Sequence, residues 1–243
     1  METTAPSAVT VAIDGPSGTG KSSTSKAVAA KLGLRYLDTG AQYRAITWWM
    51  ITNGIDLTDP QAIAVAAAKP VIVSGTDPAA PTITVDGVDA AGPIRTTEVT
   101  SKVSAVSAVP EVRTRITALQ REIAAEAATE AAGIVVEGRD IGTTVLPDAD
   151  LKVFLTASAE ARAARRSGEL GTKAAAEVAA TKEALIKRDA ADSGRATSPL
   201  AKAADAVEVD TTDLTLDQVI ECVVTLVEAR RAGEPAPEVG APA

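Results

Sequence analysis

The 243-residue chain carries 32 acidic against 24 basic side chains, a net charge of −8, which argues against a broad polyanion-binding surface, because nucleic-acid binding rests on many cations set against phosphates. Aromatic residues make up only 2%, so no base-stacking platform for single strands is expected, and the 46% hydrophobic share must fill its core mainly with Ala, Val, Ile and Leu. With no histidine and one cysteine, Cys222, chemistry has to come from carboxylates, lysine, arginine, backbone amides or a hard metal ion, and an intramolecular disulfide is excluded.

Val9 to Ile13 reads as a short buried strand and Lys21 to Leu32 as a helix ending at Gly33. "RYLDTG" gives a second short strand, after which Thr39 and Gln42 have capping-box spacing for a helix running to about Asn53, with Tyr43, Ile46 and Met50 on one face. From about Ala64 to Arg95, "PVIVSG" and "PTITVDG" alternate like strands between Pro, Asp and Gly turns, the pattern of a small β-rich insert. Val112, Ile116, Leu119 and Ile123 then step by four, three and four, the stripe of an amphipathic helix that stops near Gly133.

"IVVEG", "LKVFLTA" and "AVEVD" are three more apolar strands separated by helical segments. Thr215 and Gln218 offer a second capping box, opening the last helix. There Cys222 sits among Ile220, Val223 and Val224 as a structural thiol. Strands alternating with helices predict an α/β fold whose mostly parallel sheet is covered on both faces. No apolar run approaches the ~20 residues a bilayer crossing needs. The start "METTAPSAVT" has no basic region followed by an apolar one, so a cytoplasmic protein without a membrane or nucleic-acid partner is expected. A single domain over residues 9–232 is expected between disordered ends, residues 1–8 and 233–243.

Gly15, Gly20, Lys21 and Ser22 satisfy G-x-x-x-x-G-K-[ST], the P-loop pattern, bracketed by a strand and a helix. The backbone of Gly15, Pro16, Ser17, Gly18, Thr19, Gly20, Lys21, Ser22 and Ser23 is the expected cradle for ATP phosphates. Lys21 reaches the β and γ oxygens and the Ser22 hydroxyl helps hold Mg²⁺. A P-loop alone leaves nucleotide kinases, metabolite kinases, GTPases, motors and regulatory ATPases open. No N-K-x-D-like segment speaks for a GTPase, and "VVEGRD" is the nearest candidate for the acidic strand end that motors and regulatory ATPases use.

Three further segments, "LDTGAQYR", "EGRDIGT" and "RDAADSGR", follow or close regular elements, where the loops of a parallel sheet gather around a ligand, and their arginines suit a second phosphate. Plainer readings stand beside these. Arg188 and Asp192 could be an i,i+4 surface ion pair, Arg113 could reach to water, "EGRD" could be a strand-ending turn, and Arg162, Arg165 and Arg166 could be an ordinary charged helix face.

From Val9 to about Arg230 the chain resembles the bacterial cytidylate kinases, of the nucleoside monophosphate kinase family. The likeness is carried in order by "IDGPSGTGKS", "YLDTGAQYRA", "TVDGVDAAGPIRTTEV", "VPEVRTRITALQR", "EGRDIGTTVLPDADLKVFLTAS" and "DSGRATSPL". The resemblance implies a P-loop kinase fold with a five-stranded parallel sheet flanked by helices. It also implies a monophosphate-binding region with the β-rich insert at about 40–105, and a mobile arginine-bearing lid at about 160–180. It implies a monomer that moves the ATP γ-phosphoryl to CMP or dCMP with Mg²⁺. Ser104, Arg113 and Asp140 match cytosine contacts, Arg44 and Arg139 acceptor-phosphate contacts, and Arg188 and Asp192 groups near the ribose.

Arg195 belongs to the set closing on the phosphates, and Arg162, Arg165 and Arg166 are the lid's candidates for ATP. Lys21, Arg139, Asp140 and Arg195 are thus the catalytic set, with Asp140 open to a second role as proton acceptor. Ala190 and Ala191 stand where relatives often carry charge, and the lid neighbourhood is rich in alanine. The chemistry agrees with the resemblance: a carboxylate, a hydroxyl and a guanidinium match the amino donor and acceptors of cytosine, and phosphoryl transfer asks for positioned cations rather than a histidine. The rivals are a kinase for another small acceptor and an ATP-binding regulatory module.

Overall fold

The computed structural model describes residues 8–130, 133–169, 171 and 175–234. Among them, β1 (Val9–Asp14), β2 (Arg35–Asp38), β6 (Gly133–Glu137), β7 (Leu151–Thr156) and β8 (Val207–Asp210) form one five-stranded sheet in the order β2-β6-β1-β7-β8, with every pairing parallel. Alternation along each strand assigns its two faces. Val11, Ile13, Val135, Tyr36 and Val153 pack against α1 (Lys21–Leu32) and α8 (Leu216–Ala232), whereas Ala12, Leu37, Ile134 and Val136 pack against Ala124 and Ala127 of α5 (Pro110–Glu130). Each fully buried Val or Ile contributes about 1.5–3 kcal/mol, which makes this two-faced core the main support of the strand ends.

A second core joins α2 (Thr39–Thr52) to α3 (Pro60–Ala66) and to a small antiparallel sheet of β3 (Ile72–Ser74), β4 (Ile83–Val85) and β5 (Val88–Asp89). The insert is therefore β-rich as expected, with α3 leading into it. Between it and α5 stands α4 (Thr97–Ser107), which the sequence reading passed over. Its Val99, Val103 and Val106 are buried, and Thr96 caps it by accepting a bond from the Val99 N–H. Arg115 of α5 donates to the carbonyls of Ala67 and Pro70 and ties the insert to the main body.

The capping box expected at Thr39 is corrected. Asp38 is the cap, its carboxylate accepting from the Ala41 N–H at 2.9 Å, while the Thr39 hydroxyl donates to the Glu137 carbonyl and the Gln42 amide to Ser74. A carboxylate one residue earlier satisfies the helix end and frees both side chains for tertiary bonds. The box at Thr215 and Gln218 forms with both of its bonds.

The lid region is built on α6 (Ala159–Glu169) and α7 (Ala175–Ser193), and part of the expected span, residues 170 and 172–174, lies outside the described residues. So do residues 1–7 and 235–243, on which the expectation of disordered ends falls. Gly233 and Glu234 close α8 with bonds to the Arg230 and Ala229 carbonyls. Among the described residues no helix is long and apolar enough to cross a membrane.

Candidate active site

The carboxyl ends of the parallel strands carry the site, where open α/β sheets gather their ligands. At the end of β1 the chain turns through Gly15 with φ +143°, a position where a Cβ would stand 2.1 Å from the Leu155 carbonyl oxygen, so only glycine fits between the loop and β7. Gly20 precedes α1 in the left-handed region with no side-chain cap, which leaves the first amides of α1 for an anion.

The loop is braced from four sides. The Arg139 guanidinium donates to the Gly15 carbonyl at 3.2 Å, Arg162 to the Ser17 carbonyl at 3.3 Å, the Ser17 N–H donates to Asp189 at 3.2 Å, and the Thr211 hydroxyl lies 3.3 Å from the Thr19 carbonyl.

Lys21, the first residue of α1, donates to the Pro16 carbonyl at 2.6 Å. Burial, with the Arg139 charge beside it, pushes its pKa down to about 7, against the pull of Glu137 and Asp14. Glu137 ends β6, in register with Ile13 of β1, and is 3% exposed. Burial and the nearby Asp38 push its pKa up to about 7. The Tyr36 hydroxyl donates to Glu137, and the Ser22 side chain lies in hydrogen-bonding reach of the same carboxylate. A hydroxyl and one carboxylate beside a phosphate cradle are the donor set Mg²⁺ takes, since that ion is bound through one or two carboxylates and the substrate's phosphates.

Beyond the end of β6, Arg113 and Asp140 form a buried pair at 2.5 Å, the Arg113 side chain 3% and that of Asp140 6% exposed. Arg113 also donates to the Ser107 carbonyl at 3.1 Å and lies over the Tyr43 ring at 5.3 Å. Burial pushes the Asp140 carboxyl up and Arg113 draws it back. Ser104 is half-buried on α4, its carbonyl accepting from Ser107, one helical turn from the Arg113 contact.

Arg139 links Asp189 at 3.4 Å and Asp192 at 3.1 Å, and Arg195 pairs with Asp192 at 3.2 Å. Asp192 thus turns to Arg139 and Arg195 rather than to a bond with Arg188. Arg188 is pushed down to about 10 by burial and the Arg139 charge, and its Nε finds no partner among the described residues. Arg195 is likewise pushed down by burial. Arg44 pairs with Asp38 at 3.3 Å.

In the lid region Arg162 is buried and pairs with Asp189, reaching the P-loop. Arg165 instead donates to Thr211 and to the carbonyls beyond it, clasping the loop between β8 and α8, and Arg166 is exposed. Asp14, Tyr36 and Asp189 were missed as site residues, and Glu137 entered only through "VVEGRD", the nearest candidate for an acidic strand end. The sequence signal for Asp14 and Glu137 was there: "VAID" and "VVE" are apolar strands that end on a carboxylate where the core would take another apolar residue.

The described contacts bring Lys21, Ser22, Arg139, Arg162, Asp192 and Arg195 into one connected network, and the Arg113–Asp140 pair joins it through the electrostatic contact of Arg195 with both. Among the described residues, Ser104 connects to that pair only through Ser107, which donates to the Ser104 carbonyl and accepts from Arg113.

A family model described as cytidylate kinase matches residues 11–229. Proteins named cytidylate kinase from Streptomyces griseus and Streptomyces coelicolor are each 82% identical to this chain, over 94% of it and 96% of the first, and over 95% of it and 97% of the second. One of that name from Nocardia farcinica is 55% identical over 87% of this chain and 90% of its own.

Proposed function

The chain belongs to the cytidylate kinase family, and from that premise we propose the division of labour by which it transfers the ATP γ-phosphoryl to CMP or dCMP, giving ADP and CDP or dCDP. The observation that carries the reading is the place of Arg139: its guanidinium touches the P-loop carbonyl of Gly15 and pairs with Asp189 and Asp192, so the loop for the donor phosphates and the arginine that we assign to an acceptor phosphate make two adjoining sites. A pure nucleotide switch needs the first site and not the second.

The free N–H groups of the loop and of the first turn of α1 cradle the donor phosphates and Lys21 sits on the β and γ oxygens, whose charge restores the full protonation that burial weakens. Ser22 and Glu137 would hold Mg²⁺, which when bound supplies positive charge between the donor phosphates. Arg44 and Arg139 bind the acceptor phosphate, and Arg188 and Asp192 stand by the ribose. The Arg113–Asp140 pair and Ser104 read the cytosine edge: the carboxylate accepts from the exocyclic amino group and the guanidinium donates to the ring acceptors.

Arg195 and Arg162 close over the transferred group, where spread negative charge needs fixed cations. Asp140, tied to Arg113, serves recognition rather than proton removal. The protein works as a cytoplasmic monomer on these small nucleotides.

Steady-state kinetics of Lys21→Ala and Asp140→Ala test the assignment. The first is expected to lower kcat by at least about 100-fold. The second is expected to cost kcat/KM for CMP by a similar factor while the KM for ATP stays within about twofold. Near-normal kinetics in both folded variants would refute the site.

A further inference from the structure

Arg139 and Asp140, the two residues that carry most of the acceptor reading, sit on a turn with no secondary structure of its own. The chain holds that turn by its flanks. On one side the Gly138 N–H donates to the Ile13 carbonyl at 3.0 Å. On the other side the Ile141 and Gly142 N–H groups donate to the two carboxylate oxygens of Asp14 at 2.9 and 2.7 Å. Residues 13 and 14 are the last of β1, directly before Gly15, so the acceptor turn is stapled to the strand that presents the donor loop.

Asp14 is 5% exposed. A buried carboxylate is expensive unless its oxygens are satisfied, and here each oxygen takes one backbone N–H from the turn. Gly142 packs between that carboxylate and the Lys152 side chain: a Cβ there would stand 3.4 Å from Asp14 Oδ2, an ordinary contact, and 3.1 Å from Lys152 Cδ, a tight one.

We propose that Asp14 is a positioning residue for the acceptor site, its carboxylate holding the Ile141 and Gly142 N–H groups and so fixing where Arg139 and Asp140 stand against the phosphate-binding loop. The inference rests on the reading of Arg139 and Asp140 as acceptor contacts. Its competitor is an action on the donor side, because Asp14 also lies in the field of Lys21. The two differ in which substrate feels a substitution. Asp14→Asn keeps the shape but turns an amide donor toward two N–H groups, one of which loses its partner. Gly142→Ala keeps the Asp14 carboxylate and the charge beside Lys21, and instead crowds the Gly142 backbone against the Lys152 side chain, shifting the segment that Asp14 holds.

The test is equilibrium binding of CMP and, separately, of ATP to the parent protein and both variants by calorimetry, with thermal melts to confirm folding. CMP affinity is expected to fall about tenfold in Asp14→Asn, the factor that losing one buried hydrogen bond corresponds to, and about threefold in Gly142→Ala, where the Lys152 side chain yields, with ATP affinity within about twofold in both. Because both substitutions act on one segment, the double variant is expected to lose little beyond Asp14→Asn alone. ATP affinity falling as much as CMP affinity, or CMP affinity unchanged in the variants that fold, overturns the inference and leaves the functional reading standing. A parent protein that binds ATP but not CMP overturns the functional reading and this inference together. If Asp14→Asn does not fold, Gly142→Ala decides the question alone.

Discussion

Asp14 is pulled in opposite directions: burial pushes its pKa up to about 6, and the two N–H groups of the acceptor turn work against that rise. An aspartate in an unfolded chain titrates near 4, so the folded protein holds this proton more tightly. The stability that proton contributes is fully present below about pH 4 and is lost as pH rises to about 6. Asp14→Asn cannot titrate. Relative to the parent, the variant is therefore expected to gain up to about 3 kcal/mol of unfolding free energy between pH 4 and pH 7. Chemical denaturation of both proteins at the two pH values checks this, and a pH-independent difference would contradict it.

Glu137, raised to about 7 by burial, and Lys21, lowered to about 7, are two further charges that burial perturbs, and each stands where a bound charge would restore it. All three lie at strand ends or on the first turn of α1, which is why perturbed groups and ligand loops coincide here.

At the scale of elements, α7 does the joining. Asp189 on this helix accepts from the Ser17 N–H of the P-loop, pairs with Arg139 after β6 and pairs with Arg162 of α6, so one carboxylate links the donor loop, the acceptor turn and the lid. Asp189→Asn removes the charge that anchors both arginines. Its kcat/KM is expected to fall about tenfold with either substrate varied, since each arginine faces a different one. A loss seen with only one substrate would contradict that linkage.

Elements differed in how much their sequence revealed. Strands β1, β6 and β7 were legible because short apolar runs buried on both faces leave little else to be, and α5 because its stripe runs for several turns. α4 was not legible: "TEVTSKVSAVS" mixes β-branched and hydroxyl residues of weak helix preference, and the burial of its Val106 acquires meaning only from α2 and the insert, whose core it joins. The shifted cap at Asp38 was invisible for a similar reason, since Thr39 is claimed by Glu137, 98 residues away.

Over the whole molecule, the candidate binding residues stand in local patterns that the sequence displays, and the residues that hold them do not. The P-loop and the arginine motifs are short strings with their chemistry on view. Asp14 and Asp189 act on partners 127 and 172 residues distant, a relation that only the closed sheet with α7 folded over it creates. The same geometry explains how an acidic chain handles two polyanionic substrates: among the described residues its cations at the strand ends are gathered by buried carboxylates rather than spread over the surface.

The central claim is that the second phosphate site belongs to a cytidine monophosphate. Formation of ADP from ATP and Mg²⁺, followed with CMP, dCMP, UMP, AMP and GMP as separate acceptors, tests it most directly. Rapid turnover confined chiefly to CMP and dCMP is the predicted result. Equal turnover across the panel, or ATP binding without any acceptor-dependent ADP, would contradict a cytosine-reading pair at Arg113 and Asp140.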